Sequence, residues 1–396
     1  MNLSRAATAA CFRALALAAC AGEGAKPRGG AAAGDLVSED VPSVAIRDDG
    51  STTQGFSSAT ARRLPDGAIV VADLGSGRIL LFGRDGAFVR PVSRLGDGPG
   101  ELRGRFSLRV LGDTIVAMGI PPAGDRRIRL FRPTPSVVAT MGAPGDAAGP
   151  LTPVDYLATG HLVVERGAGF RRLEARDLMG DRLVDSVSIG VCRRSGSTCT
   201  DVHWLPAKRR ALLFAYPWSG SPGGKGFAVH PFLGRTMMLA SGDLIWFVDG
   251  RTAAVVAFDG SGRERTRSDL RLPMSRPSEG AIARYEAHLL AEARVARDSA
   301  RARASVAPGL FGDSLPLVDA AYPGTDGSIW LRLLRLGERG RQQLVQVARD
   351  GRLGLRASVP DGLVIQEFGT SDVLGIEKDA DDVERVVRYT LKLLAR

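Results

Sequence analysis

The residue types able to do chemistry are few and widely spread. Cys192 and Cys199 enclose the stretch RRSGST, and His203 follows them. Two thiols at that spacing suit a disulfide that closes a short loop, worth about 2.5 kcal/mol in the loop-entropy treatment. A zinc site from the same residues would need a fourth neighbour and a Cys-x2-Cys spacing that the chain lacks. The remaining histidines, His161, His230 and His288, share no metal-ligand spacing. Asp73 and Asp85 flank the turns of one hairpin, where a carboxylate commonly caps backbone N–H groups. No Gly-x-Ser-x-Gly nucleophile elbow is present. The expected sets are therefore empty: no catalytic residue, no cofactor-binding residue and no metal ligand.

The glycine cluster RLGDGPGEL at 94–102 could be taken for a phosphate cradle. It lacks the Lys-Ser/Thr that follows a phosphate loop, and Pro99 has no N–H to donate. Glu101 would repel a phosphate, and no apolar helix follows. The stretch is expected to be a corner between structural units.

Those units repeat. GAIVVADLGSGRILLFGRDG (67–86) can be laid over segments at 112–134, 160–180, 242–262, 327–351 and 371–391. Each has a turn, a short apolar strand, a polar turn and a second apolar strand, with Asp-Gly or Gly turns between. Apolar residues point to both strand faces, as in sheets stacked face to face. The matching positions Ile69, Ile115, Leu162, Ile245, Ile329 and Leu374 are 46, 47, 83, 84 and 45 residues apart. A period near 45 suits a four-stranded propeller blade. The expected fold is all-β, a six-bladed β-propeller, with a seventh blade left open by the first long gap. Residues 278–304 carry Ile282, Tyr285, Leu289, Ala293 and Ala296 at helical spacing, so the second long gap holds an amphipathic helix. The strand VPSVAIR at 41–47 has no hairpin neighbour, and the last repeat ends at the C-terminus. Pairing the two would remove both exposed sheet edges.

Of the 396 residues, 44% are hydrophobic, ample for a sizeable core in one repeat domain. The net charge of +10 is carried by scattered arginines, which predicts a solvated surface rather than a nucleic-acid face. The first residues, MNLSRAATAACFRALALAAC, resemble a bacterial lipoprotein signal ending in Leu17-Ala18-Ala19-Cys20, with Arg13 interrupting the apolar run. The expected layout is a signal peptide at 1–19, lipidation on Cys20, a flexible tether at 20–36 and the propeller at 37–396. The expected address is the cell envelope, on the periplasmic side or the outer membrane, and export accords with a Cys192–Cys199 disulfide.

LPDGAIVVAD, RILLFGRDGAFVRPVSRLGDGPGEL and the closing DGSIWLR to RVVRYTL resemble uncharacterised bacterial six-bladed propellers related to NHL-repeat proteins. The resemblance covers roughly residues 40–396, with 190–235 unaligned. It implies the fold and little about activity. The expected function is a binding or scaffolding propeller, monomeric, tethered to a membrane through its lipid. Its ligand would be a protein, small molecule or polysaccharide, without nucleic acid or cofactor. The alternative is a lactonase- or esterase-like hydrolase with calcium in the channel. Asn2 is the only asparagine, which removes a favoured ligand for such a calcium.

Overall fold

Short apolar runs separated by Asp-Gly turns fold here as consecutive antiparallel hairpins. In the turns the carboxylate accepts the N–H two residues on, as Asp66 does from Ala68 (2.9 Å) and Asp85 from Ala87 (3.1 Å). Gly67 and Gly86 take φ of 88° and 86°, which side-chain-bearing residues rarely adopt. The computed structural model describes residues 34–47, 55–98, 100–120, 127–133, 137–142, 144–147, 149–166, 178–179, 182–195, 198–217, 225–229, 235–270, 272, 278–292, 299–300, 302–303, 317–334 and 340–394. The expected signal peptide, Cys20 and most of the expected tether lie outside the described residues. Asp35 and Leu36, the last two tether positions, already belong to a strand.

The chain begins with β1 (Asp35–Ser38) and β2 (Val44–Ile46). Blade one is β3 (Ala59–Arg63), β4 (Ile69–Asp73), β5 (Arg78–Phe82) and β6 (Phe88–Leu95), with the short β7 (Glu101–Leu102) beside β6. Blade two is β8 (Phe106–Leu111), β9 (Thr114–Gly119), β10 (Ile128–Phe131) and β11 (Val137–Met141). A small ladder of β12 (Gly145–Asp146) and β13 (Gly149–Pro150) leads to blade three. That blade holds β14 (Thr152–Tyr156), β15 (Leu162–Arg166), β16 (Leu178–Met179), β17 (Arg182–Ser195), β18 (Thr198–Pro217) and β19 (Lys225–Val229). Blade four is β20 (Thr236–Ser241), β21 (Leu244–Asp249), β22 (Ala254–Asp259) and β23 (Glu264–Asp269). After it comes α1 (Glu279–Glu292), whose first turn is capped by Ser278 Oγ accepting from Ala281 N–H at 3.2 Å. Blade five is β24 (Val318–Pro323), β25 (Ile329–Leu333), β26 (Gln342–Val347) and β27 (Leu353–Val359). Blade six is β28 (Val364–Phe368), β29 (Asp372–Lys378) and β30 (Glu384–Leu393), completed by β2.

The result is a six-bladed β-propeller with one inserted helix. The innermost strands β3, β8, β14, β20, β24 and β28 pack each against the next, and β28 returns to β3. Ile69, Ile115, Leu162, Ile245, Ile329 and Leu374 all lie on the second strand of their blades. The first long gap holds no seventh blade among the described residues. It holds the hairpin β17–β18, whose 14- and 20-residue strands run on beyond the four-stranded part of blade three.

The core is divided among the blade interfaces. One buried cluster joins Ile69, Val71 and Phe82 of blade one to Leu374 and Val386 of blade six. Another joins Val70 and Ile79 of blade one to Phe106 and Ile115 of blade two. Blades two and three share Met118, Ile128, Leu162 and Cys192; blades three and four share Ile189, Val191, Ile245 and Phe258. Blades four and five meet through Trp246, Val255 and Leu331, and blades five and six through Trp330 and Phe368, stacked at 4.3 Å. Both faces of each central strand are thus used.

Closure follows the expected route. Val44, Ala45 and Ile46 pair antiparallel with Arg388, Val387 and Val386. β2 is therefore the outer strand of blade six, and β30 is its third strand rather than its rim. β1 adds a second clasp, lying parallel to β27 and antiparallel to the end of β30.

Cys192 and Cys199 are bonded to each other close to where β17 passes into β18, with Cα atoms 5.5 Å apart, and pack into the interface of blades two and three. The pairing leaves neither thiolate for a metal. Replacing both by Ser should cost about 2.5 kcal/mol through the freed loop alone. Chemical denaturation of the double variant beside the wild type checks this; equal midpoints would contradict it.

Candidate functional site

The expected corner at 94–102 supplies its own anion. Glu101 accepts the Gly98 N–H at 2.9 Å and the Arg94 Nε–H at 3.0 Å. The Gly98 N–H first and Arg94 after it hold this carboxyl below its ordinary range. The donors that a phosphate would need are already taken.

The other singled-out side chains also hold structure. Asp73 accepts N–H bonds from Ser57 (3.1 Å) and Gly75 (3.2 Å) and the Ser76 hydroxyl. His161 Nδ1 lies 2.9 Å from Thr159 Oγ1, and burial, followed by the nearby Arg193, pulls its pKa down. His203 is exposed on β18. The side chains of His230 and His288 lie outside those described. Among the described residues, no group of three His, Cys, Asp or Glu side chains is placed to hold a metal ion.

A cavity of about 430 Å³ opens where the six blades meet. Every blade lines it at the same place, the turn from its first strand to its second. Leu64 and Pro65 come from blade one, Leu111 and Gly112 from two, Tyr156 and Ala158 from three. Ser241 and Gly242 come from blade four, Pro323 to Thr325 from five, and Thr370 from six. The size falls among pockets that take small organic ligands.

Its wall is charged on one side. Arg62 and Arg63 end β3, Arg109 lies on β8 and Glu367 on β28, so three neighbouring blades supply the wall, and Asp155 on β14 holds Arg109 from outside the lining. Asp155, with a side chain 3% exposed, takes both Nε and Nη2 of Arg109, the latter at 2.8 Å. It also accepts the Ala240 N–H at 3.1 Å and thereby ties blades two, three and four. Burial opposes the charge on Arg109, but Asp155 outweighs it and holds the guanidinium above its ordinary pKa. Arg63 pairs with Asp372 at 2.8 Å through Nη1. Its Nε and Nη2 are buried without a hydrogen-bond partner.

Arg62 differs from both. Nη1 donates to Ala61 O (2.8 Å), Gln366 O (3.3 Å) and Gln366 Oε1 (3.3 Å). Among the described residues, no carboxylate pairs with it. Burial first, and the charge of Arg109 second, pull its pKa down to about 10.

Glu367 accepts the Arg63 N–H at 2.9 Å. Burial pushes its carboxyl above the usual range, while Arg62, Arg63 and Arg109 pull it back. A carboxyl with a folded pKa above its unfolded value favours the native state most at low pH. That advantage is lost as pH rises from the unfolded value, about 4.3, through the folded one. Glu367→Gln, which keeps an acceptor for Arg63, should therefore gain melting temperature relative to the wild type as pH rises through this window. Melting curves at matched pH values read the difference; a constant offset would contradict the assignment.

None of these channel residues was singled out by motif or spacing. The signal present in the sequence was an Arg pair ending a first strand just before a Pro-Asp-Gly turn.

No family model matches the chain, and no curated protein matches it. Solved structures do. A protein from Bacteroides fragilis that is described as exported is 10% identical, with TM-score 0.43 over 90% of this chain and 98% of its own. A member of the DUF4221 family from Bacteroides vulgatus is 10% identical, with TM-score 0.49 over 91% and 99%. A virginiamycin B lyase from Staphylococcus aureus is 10% identical, with TM-score 0.37 over 85% and 94%. The propeller assignment rests on the six blades themselves.

Proposed function

We propose that this protein is an exported binding propeller, held at the cell envelope by a lipid on Cys20, that receives a small ligand at the mouth of its channel. The observation that carries this reading is the cavity lined by the same turn of all six blades. One wall brings Arg62, Arg63, Arg109 and Glu367 together from blades six, one and two. Burying such groups is costly unless they are matched. The resemblance of the glycine corner and the closing blades to uncharacterised NHL-like propellers belongs to the same reading.

Ala158 is exposed at the rim and lines the cavity, so Ala158→Trp should narrow the mouth while leaving the blades intact. Wild type and variant, purified from membranes without denaturant, are extracted and the released small molecules identified by mass spectrometry. The wild type should carry a compound that the variant lacks. Identical extracts would overturn the channel as the site.

Anchoring is tested separately. Cys20→Ser should move the protein into the soluble fraction, because each buried lipid methylene contributes about 0.8 kcal/mol to membrane attachment. Unchanged sedimentation with membranes would contradict lipidation at Cys20.

A further inference from the structure

We infer that the channel mouth binds a monocarboxylate with an apolar body, its carboxylate seated against Arg62. This deepens the proposed binding function and rests on it.

Three guanidinium groups line the cavity, and two of them have a carboxylate of their own. Arg109 is held by Asp155, and Arg63 is held on one nitrogen by Asp372. Arg62 has amide and carbonyl acceptors only, all on Nη1. A guanidinium with five N–H donors in a fixed fork is suited to a bidentate carboxylate. The neighbouring Arg63 keeps Nη2 buried without an acceptor, while its Nε has only the Glu367 carboxylate, 4.0 Å away. The wall therefore offers one cation that has no ion pair of its own, with a spare donor beside it.

Glu367 does not fill that role. Its carboxyl accepts the Arg63 backbone N–H at 2.9 Å and stands 4.0 Å from Arg63 Nε, so the ion pair it makes is with Arg63 and not with Arg62. A ligand bringing one negative charge would balance Arg62, whereas a dianion would exceed the single unpaired cation. The rest of the lining explains the apolar body. Leu64, Val110, Tyr156 and Pro323 line the same cavity, and about 430 Å³ is far more than a bare carboxylate occupies. Apolar area plus one oriented polar contact is the usual composition of a small-molecule site.

The test uses 3-phenylpropionate, its neutral amide 3-phenylpropionamide, and inorganic phosphate as probes in ligand-observed NMR titrations of the full chain. The carboxylate should bind the wild type at least about tenfold more tightly than either other probe, as a charge-assisted bidentate pair requires. Arg62→Gln should abolish that preference, and Arg62→Lys should restore part of it, with melting curves confirming that both are folded. Amide and carboxylate binding equally, with both blocked by Ala158→Trp, would overturn the carboxylate assignment and leave the channel reading standing. Phosphate binding more tightly than the carboxylate would overturn it in favour of a phosphorylated ligand. No carboxylate binding by the wild type would also overturn it, whatever the membrane-purified extracts contain. Should Arg62→Gln fail to fold, the wild-type ranking of the three probes decides alone.

Discussion

Deleting the chain through Arg47 is expected to open the ring, whereas deleting only through residue 33 should leave its melting temperature unchanged. The longer deletion removes β1 and β2 together. It exposes the edge of β30, where Val386 and Val387 now pair with Ile46 and Ala45, and the edge of β27 beside β1. It also strips Leu36, Val44 and Ile46 from two blade interfaces. Each such side chain contributes about 1.5–3 kcal/mol on burial, so the combined loss approaches the net stability of an ordinary domain. Unpaired edges recruit other chains, and the longer deletion should therefore also aggregate. Calorimetry and light scattering on the two truncations check both points. Equal melting temperatures with monomers throughout would mean that the ring is not closed by β2.

The second large effect is expected at Asp155. Its carboxylate receives the Arg109 guanidinium, the Ala240 N–H and the Tyr156 N–H. Asp155→Ala would leave a half-buried cation without its partner and an N–H of blade four without an acceptor. Breaking a buried pair from one side costs about 3–5 kcal/mol. Denaturation should show that loss, and pairing the change with Arg109→Met should recover much of it, because the stranded charge is then gone. Strictly additive losses in the double variant would show that the two residues do not act as a unit.

Much of the architecture was legible because blade packing imposes local rules. Residues such as Ile69 and Ile245 must face a neighbouring sheet on each side, and the turns beside them must reverse the chain within a few residues. Both demands leave a visible mark at a near-constant interval. The lone strand at 41–47 was legible for a similar reason, since an apolar strand without a hairpin neighbour needs a distant partner. Blade three was legible at Leu162 but not in its outer part, across 190–235. Hairpin β17–β18 outgrows the sheet, and the interval between repeats stretches with it.

The site was not legible. The adjacent Arg62 and Arg63 are far in the chain from Arg109, Asp155 and Glu367, and each is an ordinary polar residue on a first strand. The scattered arginines were expected on a solvated surface, yet Arg129 is 3% exposed and Arg63, at 13% side-chain exposure, lines the channel. Only closing the ring brings blade six beside blade one and gives these charges a common wall. Composition records how many arginines there are and not which of them face inward.

Hydrogen–deuterium exchange mapped along the full chain tests the channel-mouth claim most directly. The protein is compared in buffer and in the small-molecule fraction of a cell-envelope extract. Exchange should slow in peptides covering the first-to-second-strand turns near Leu64, Gly112, Ala158, Gly242, Thr325 and Thr370, with the outer strands β6, β23 and β27 unchanged. Protection confined to those outer strands, or no protection at the six turns, would contradict a ligand site at the channel mouth.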